Sequence, residues 1–151
     1  NNLASVYKKD GRLADAEKLY REALATKTET LGAHHESTLK SQNNLAVTLI
    51  EQRKLNDAAP MMAQALESYT EAMGIQHPDT ITLVRNYGQV LWNLGQHAEA
   101  LSLVSSTLEQ VDAVQGKEDR DTRGLASTYA ALLNVAGDAD KAAEVKAAYG
   151  L

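Results

Sequence analysis

The 151-residue chain contains no cysteine and no phenylalanine, only two prolines and a single tryptophan. The missing cysteines exclude disulfides, thiolate metal centres and cysteine nucleophiles. They also fit an intracellular, cytoplasmic chain. The scarcity of proline, with abundant Ala, Leu and Glu, removes the commonest obstacle to long helices. β-Branched residues are scattered and never alternate over the four to eight positions a strand needs. The predicted fold class is therefore all-α. No apolar run approaches the roughly 18 residues of a membrane span, so membrane insertion is not expected, and no signal peptide is recognisable. A formal net charge of −5 argues against nucleic acid as a partner. The chain begins with Asn and not Met, which suggests a segment of a longer or processed protein.

What the sequence does contain is a repeat. Asn1-Asn2-Leu3-Ala4 returns 42 positions later as Asn43-Asn44-Leu45-Ala46. The same shift pairs Leu13 with Leu55, Asp15 with Asp57, Ala16 with Ala58, Ala23 with Ala65 and Gly32 with Gly74. His35 matches His77 and Thr38 matches Thr80, so that 14 of the 42 positions are identical. A second shift places Asn86, Gly95, Ala100, Leu108, Gly116 and Thr122 in those columns, and a third places Ala130, Gly137 and Ala142. A fixed period of this length marks a stacked array.

Each unit reads as two antiparallel helices. Leu3, Ala4 and Tyr7 share one face of the first, and Leu13, Ala16, Leu19, Tyr20, Ala23 and Leu24 share one face of the second. Gly11, Gly95 and Gly137 stand where a left-handed residue ends a helix. Small alanines at 16, 58, 100 and 142 permit close approach of the paired helices. Pro78, Asp79 and Asp121 suit first turns. The expected helices are 1–9, 12–31, 37–52, 55–73, 79–94, 97–115, 121–136 and 139–149. The repeats run approximately 1–36, 37–78, 79–120 and 121–151, as one domain.

Leu3-Ala4, Tyr7, Gly11, Ala16, Tyr20 and Ala23 fall in the order and spacing of the tetratricopeptide repeat signature. The 42-residue period, the NNLA helix and the loops LGAHHEST and MGIQHPDT resemble the kinesin-light-chain-like branch of that family. Departures are Arg53 at the turn glycine, Gly88 at a small alanine, a third loop (GKEDRDT) without the histidine, and Lys146 in place of Tyr20, as in a solvent-facing cap. The resemblance implies a right-handed α-solenoid whose first helices line a concave surface. On that surface fall Asn1, Ser5 and Lys8; then Lys40, Asn43, Val47 and Ile50; then Thr82, Arg85, Gln89 and Trp92; then Ser127, Ala131 and Asn134. Asn2, Asn44 and Asn86 flank these rows.

Asn amides offer donor and acceptor to a peptide backbone, Arg85 suits a carboxylate and Trp92 an apolar anchor. The expected function is non-catalytic binding of a partner peptide or protein segment, with Lys40, Asn43, Asn44, Arg85, Asn86, Gln89 and Trp92 as contacts. Self-association through the first helix, or service as a regulatory domain of a larger signalling protein, are the alternatives. The carboxylate clamp of some family members would want Lys, Asn, Asn, Lys and Arg at positions 1, 5, 44, 82 and 86. Only Asn44 matches, so that mode is not expected. No catalytic motif, cofactor or metal is expected. His35 and His77 are equivalent loop positions one repeat apart, Met61-Met62 reads as core packing, and His97 and Glu17 read as solvated.

Overall fold

A computed structural model describes residues 2–151. Among them are eight helices and no strand: α1 (Asn2–Lys9), α2 (Leu13–Leu31), α3 (Glu36–Glu51), α4 (Leu55–Met73), α5 (Pro78–Asn93), α6 (His97–Gln115), α7 (Arg120–Ala136) and α8 (Ala139–Ala148). Every predicted helix is present, with ends displaced by at most one residue among the described residues. The chain clusters into two compact units, one ending at Ala72 and the other running from Met73 to Leu151.

The repeat columns explain the pairing within each unit. Ala16, Ala58, Ala100 and Ala142 are all buried, as are Ala4, Ala46, Gly88 and Ala130 on the first helices. In the first unit, Ala4, Ala16, Tyr20, Leu45, Leu49 and Ala58 form one core, flanked by Tyr7, Leu19, Leu24, Ile50 and Met61. Met62 is fully buried, as a core reading of the Met pair requires. The buried Tyr20 keeps its hydroxyl satisfied at 2.9 Å from Ser5 Oγ. Leu3 and Val6 remain 54% and 50% exposed on α1, whereas Leu45 and Thr48, in the same columns, are 1% and 0% exposed.

Gly88 shows how tightly the small column is used. A Cβ there would lie 2.7 Å from Val104 Cγ2, and α6 approaches α5 at that point. Helix propensity favours alanine by about 1 kcal/mol, but forcing a methyl against a stiff β-branched side chain costs about 1–3 kcal/mol.

The turn between α3 and α4 lacks the repeat glycine, and Arg53 adopts φ +62° in its place. A side chain in that region costs roughly 1–2 kcal/mol. Glu17 of α2 braces both neighbours of this residue. Its Oε2 accepts from Lys54 Nζ at 2.7 Å and from Gln52 Nε2 at 2.9 Å, and Gln52 Nε2 also donates to Leu13 O at 3.1 Å. Arg21 pairs with the other oxygen at 2.9 Å. Glu17 is thus not a solvated outer-face residue: its side chain is 14% exposed. What joins it to residues 35 and 37 positions away is the tertiary packing of α2 on α3.

The helix starts hold the main departure from expectation. The loop histidines are N-caps: His35 Nδ1 accepts from Ser37 N at 3.1 Å, and His77 Nδ1 accepts from Asp79 N at 3.2 Å. The third repeat keeps this device with a different residue. Asp119 Oδ1 accepts from Asp121 N at 2.8 Å and from Thr122 N at 3.0 Å. These donors, the Thr122 amide first, hold the Asp119 carboxyl below its ordinary value. Helix α3 therefore begins at Glu36, one residue earlier than the spacing predicts, because the cap is His35 itself.

Gly88→Ala is expected to lower stability by about 1 kcal/mol in urea melts, whereas the same change in a Val104→Ala background should raise it. Glu17, held at about 2 against an ordinary 4.5 mainly by the hydrogen bond from Lys54, is deprotonated more readily folded than unfolded. Its contribution is complete above pH 4.5 and disappears as the pH falls towards 2. Acid titration of the urea midpoint should show Glu17→Gln flattening that decline.

Candidate functional site

The residues expected on the inner surface fall on two groups of helices, one in each unit. In the first unit, α1 and α3 bring Ser5, Lys8, Lys9, Asn44 and Glu51 around a cavity of about 380 Å³, floored by Tyr20. Lys8 Nζ lies 3.0 Å from Glu51 Oε1, so its charge is compensated. Lys40, exposed on α3, pairs with Glu36 one turn earlier. Asn43 and Asn44 are half-buried, and the Asn43 Oδ1 is buried with no protein donor among the described residues. Asn1, the remaining member of the first row, lies outside the described residues.

In the second unit, α5 presents Thr82, Arg85 and Gln89 as an exposed stripe with half-buried Asn86 and Trp92 alongside. Arg85 is fixed rather than free. Its Nε donates to Thr128 Oγ1 of α7 at 2.9 Å, and the Thr128 hydroxyl donates to Gly124 O at 3.0 Å. A Cβ on Gly124 would come within 3.2 Å of Arg85 Nη1, so the guanidinium rests against bare backbone. No carboxylate pairs with Arg85 among the described residues. The result is a held cation whose terminal amino groups are open, the state in which guanidinium recognises a planar anion at least entropic cost. Gln89 Nε2 donates to Asn93 Oδ1 at 3.3 Å one turn along.

Trp92 is not a free anchor. His97, at the start of α6, stacks on it with ring centroids 4.1 Å apart and planes 22° from parallel. His97 is exposed but not merely solvated; it covers one face of the indole, leaving Trp92 a partly used surface. Ser127, Ala131 and Asn134 are exposed on α7. Ser5, expected to point at a partner, is engaged with Tyr20.

Thr128, Gly124 and His97 shape this surface without appearing in the sequence-derived set. The period carried a signal for each of them. Thr128 takes the flanking column of Asn2, Asn44 and Asn86, changed in this repeat alone, and Gly124 a column that differs in every repeat, after Lys40 and Thr82. His97 stands in the column of Leu13 and Leu55, but its stacking on Trp92 follows from how α6 leaves the Gly95 turn. The remaining histidine, His34, lies 3.5 Å from Glu71, and no group of three metal-ligating side chains occurs among the described residues.

Comparison with known proteins agrees with the repeat geometry. Two tetratricopeptide repeat models match, over residues 1–71 and 83–105, together more than half the chain. A kinesin-light-chain-type protein of Podosopora anserina with nearly identical TPR-like repeats superposes with a TM-score of 0.80 at 21% identity, over 95% of this chain and 68% of its own. BtubC (BKLC) from P. vanneervenii gives a TM-score of 0.78 at 24% identity, over 98% of this chain and 62% of its own. No curated protein matches significantly in sequence. Among the described residues no helix is long and apolar enough to cross a membrane. The chain belongs to the tetratricopeptide repeat family, whose members are generally non-catalytic protein-interaction scaffolds, and its all-α fold is the solenoid of the kinesin-light-chain-like repeat proteins.

Proposed function

We propose that this array is a non-catalytic scaffold that binds a segment of a partner protein along the inner faces of its first helices. The observation that carries the reading is Arg85: pinned by Thr128, laid against Gly124 and unmatched by any carboxylate among the described residues. An acidic side chain of the partner supplies the missing charge, Gln89 and Asn86 meet its backbone amides, and the open face of Trp92 takes an apolar neighbour. Lys40, Asn43 and Asn44 serve the same role on α3. The partner is protein, not nucleic acid: the chain is net acidic at −5.

A second reading, self-association, is favoured by the exposure of Leu3 and Val6 in columns that are covered one repeat later.

Selection of a random peptide library on the immobilised protein tests the first reading. Enriched sequences should carry Asp or Glu, and Arg85→Gln should weaken them about tenfold or more, in line with the loss of a charged hydrogen-bonded pair; undiminished binding by the variant removes Arg85 from the site. Sedimentation over a hundredfold concentration range tests the second. A dimer dispersed by Leu3→Glu with Val6→Glu supports it, and a monomer throughout ends it.

A further inference from the structure

Three helix starts in this chain occupy one repeat column with two chemistries: His35 before α3, His77 before α5 and Asp119 before α7. An imidazole accepts a hydrogen bond only through an unprotonated nitrogen, whereas a carboxylate remains an acceptor throughout the neutral and mildly acidic range. Protonating a histidine cap has two consequences of the same sign. The Nδ1 acceptor of the Ser37 or Asp79 amide is lost, and a positive charge is placed against the positive end of the helix dipole.

The neighbouring hydroxyls make the contrast sharper. Thr122 Oγ1 reaches Asp119 Oδ1 at 3.4 Å, but the equivalent Thr38 and Thr80 hydroxyls are buried with no partner among the described residues. The histidine-capped starts are thus the less fully satisfied of the three before any proton arrives.

The surrounding charges do not cancel the effect. Around the first cap, α2 contributes Lys27, whose ammonium lies 3.2 Å from Ser37 O and adds positive charge. On α3, Glu36 and Lys40 pair with one another, and Glu71 of α4 is engaged with the adjacent His34 at 3.5 Å. Around the second cap, α5 contributes Asp79, and α6 contributes the neutral Gln115, whose Nε2 donates to Gln76 O at 3.0 Å. Asp79, in the first turn of α5, would partly offset a protonated His77.

We propose that His35 and His77 form a built-in pH-sensitive element: mild acid loosens the first turns of α3 and α5 while leaving α7, capped by Asp119, in place. Lys40, Asn43, Arg85 and Asn86 lie within two to three turns of these caps, so the surface they form loosens with the turns. A cap that accepts only through an unprotonated nitrogen contributes fully while that nitrogen is free and is lost when it gains a proton.

The test compares melting temperatures of the wild-type chain and a His35→Asp/His77→Asp variant between pH 7.5 and 5.5. Asp119 shows that the column accepts Asp. His34 and His97 are present in both proteins. The gap in favour of the variant should widen on acidification by on the order of 5 °C, the size expected for two helix caps in a chain of this length. A gap that stays constant to within about 1 °C overturns the proposal. Amide hydrogen exchange gives a second reading independent of the variant. After correction for intrinsic rates, protection in the first turns of α3 and α5 should fall severalfold at pH 5.5 relative to that of α7. Equal changes at all three helix starts overturn it.

Discussion

The close approach of the two helices in each repeat is the constraint on which everything else rests. It is made possible by two columns of small residues, Ala4, Ala46, Gly88 and Ala130 on the first helices and Ala16, Ala58, Ala100 and Ala142 on the second. With no large side chain between them, backbones come near enough for neighbouring Leu, Tyr, Met and Val to interlock at crystal-like density. Gly88 marks the limit of this approach, since even one methyl would meet Val104 at 2.7 Å. Once these columns are turned inward, helical geometry leaves a stripe such as Thr82, Arg85 and Gln89 on the opposite, exposed side of α5.

Holding the pairs in place requires that helix ends be satisfied, and the chain does so by different means in different repeats. Gly11, Gly95 and Gly137 take positive φ without steric cost, whereas Arg53 takes it against resistance and is braced on both sides by Glu17 through Gln52 and Lys54. The helix starts show a parallel substitution, with histidine at two and aspartate at the third. Duplication supplied one scaffold, and later substitutions gave its copies unequal local stability. Unequal stability among cooperative segments is the usual source of selective local opening.

The exposed stripe acquires chemistry by the same divergence. The first column reads Asn1, Asn43, Arg85 and Ser127, and only the third copy carries a charge. That charge becomes an oriented group because two further substitutions occur one repeat later, Gly124 beneath it and Thr128 beside it. On the same helix Trp92 is half-closed by His97. Its value to a partner lies in the face and edge that remain open.

The period of 42, read in Ala16/Ala58/Ala100/Ala142 and Gly32/Gly74/Gly116, was sufficient to place the eight helices and the small buried columns between them, because steric demands repeat with the backbone geometry that imposes them. Arg85, Gln89 and Lys40, expected on the concave surface of the family's superhelix, are exposed residues. What the columns could not show was engagement. Ser5 with Tyr20, Glu17 with Gln52 and Lys54, Arg85 with Thr128, and Trp92 with His97 join different helices of a compact unit, and most of these pairs lie 15 to 43 residues apart. The histidine caps were hidden for a subtler reason. A histidine in a loop has several roles open to it, and only the direction of its ring relative to the next helix selects one. Periodicity is a one-dimensional record of which positions must be small or apolar; which polar atoms meet depends on distances set only when the helices pack.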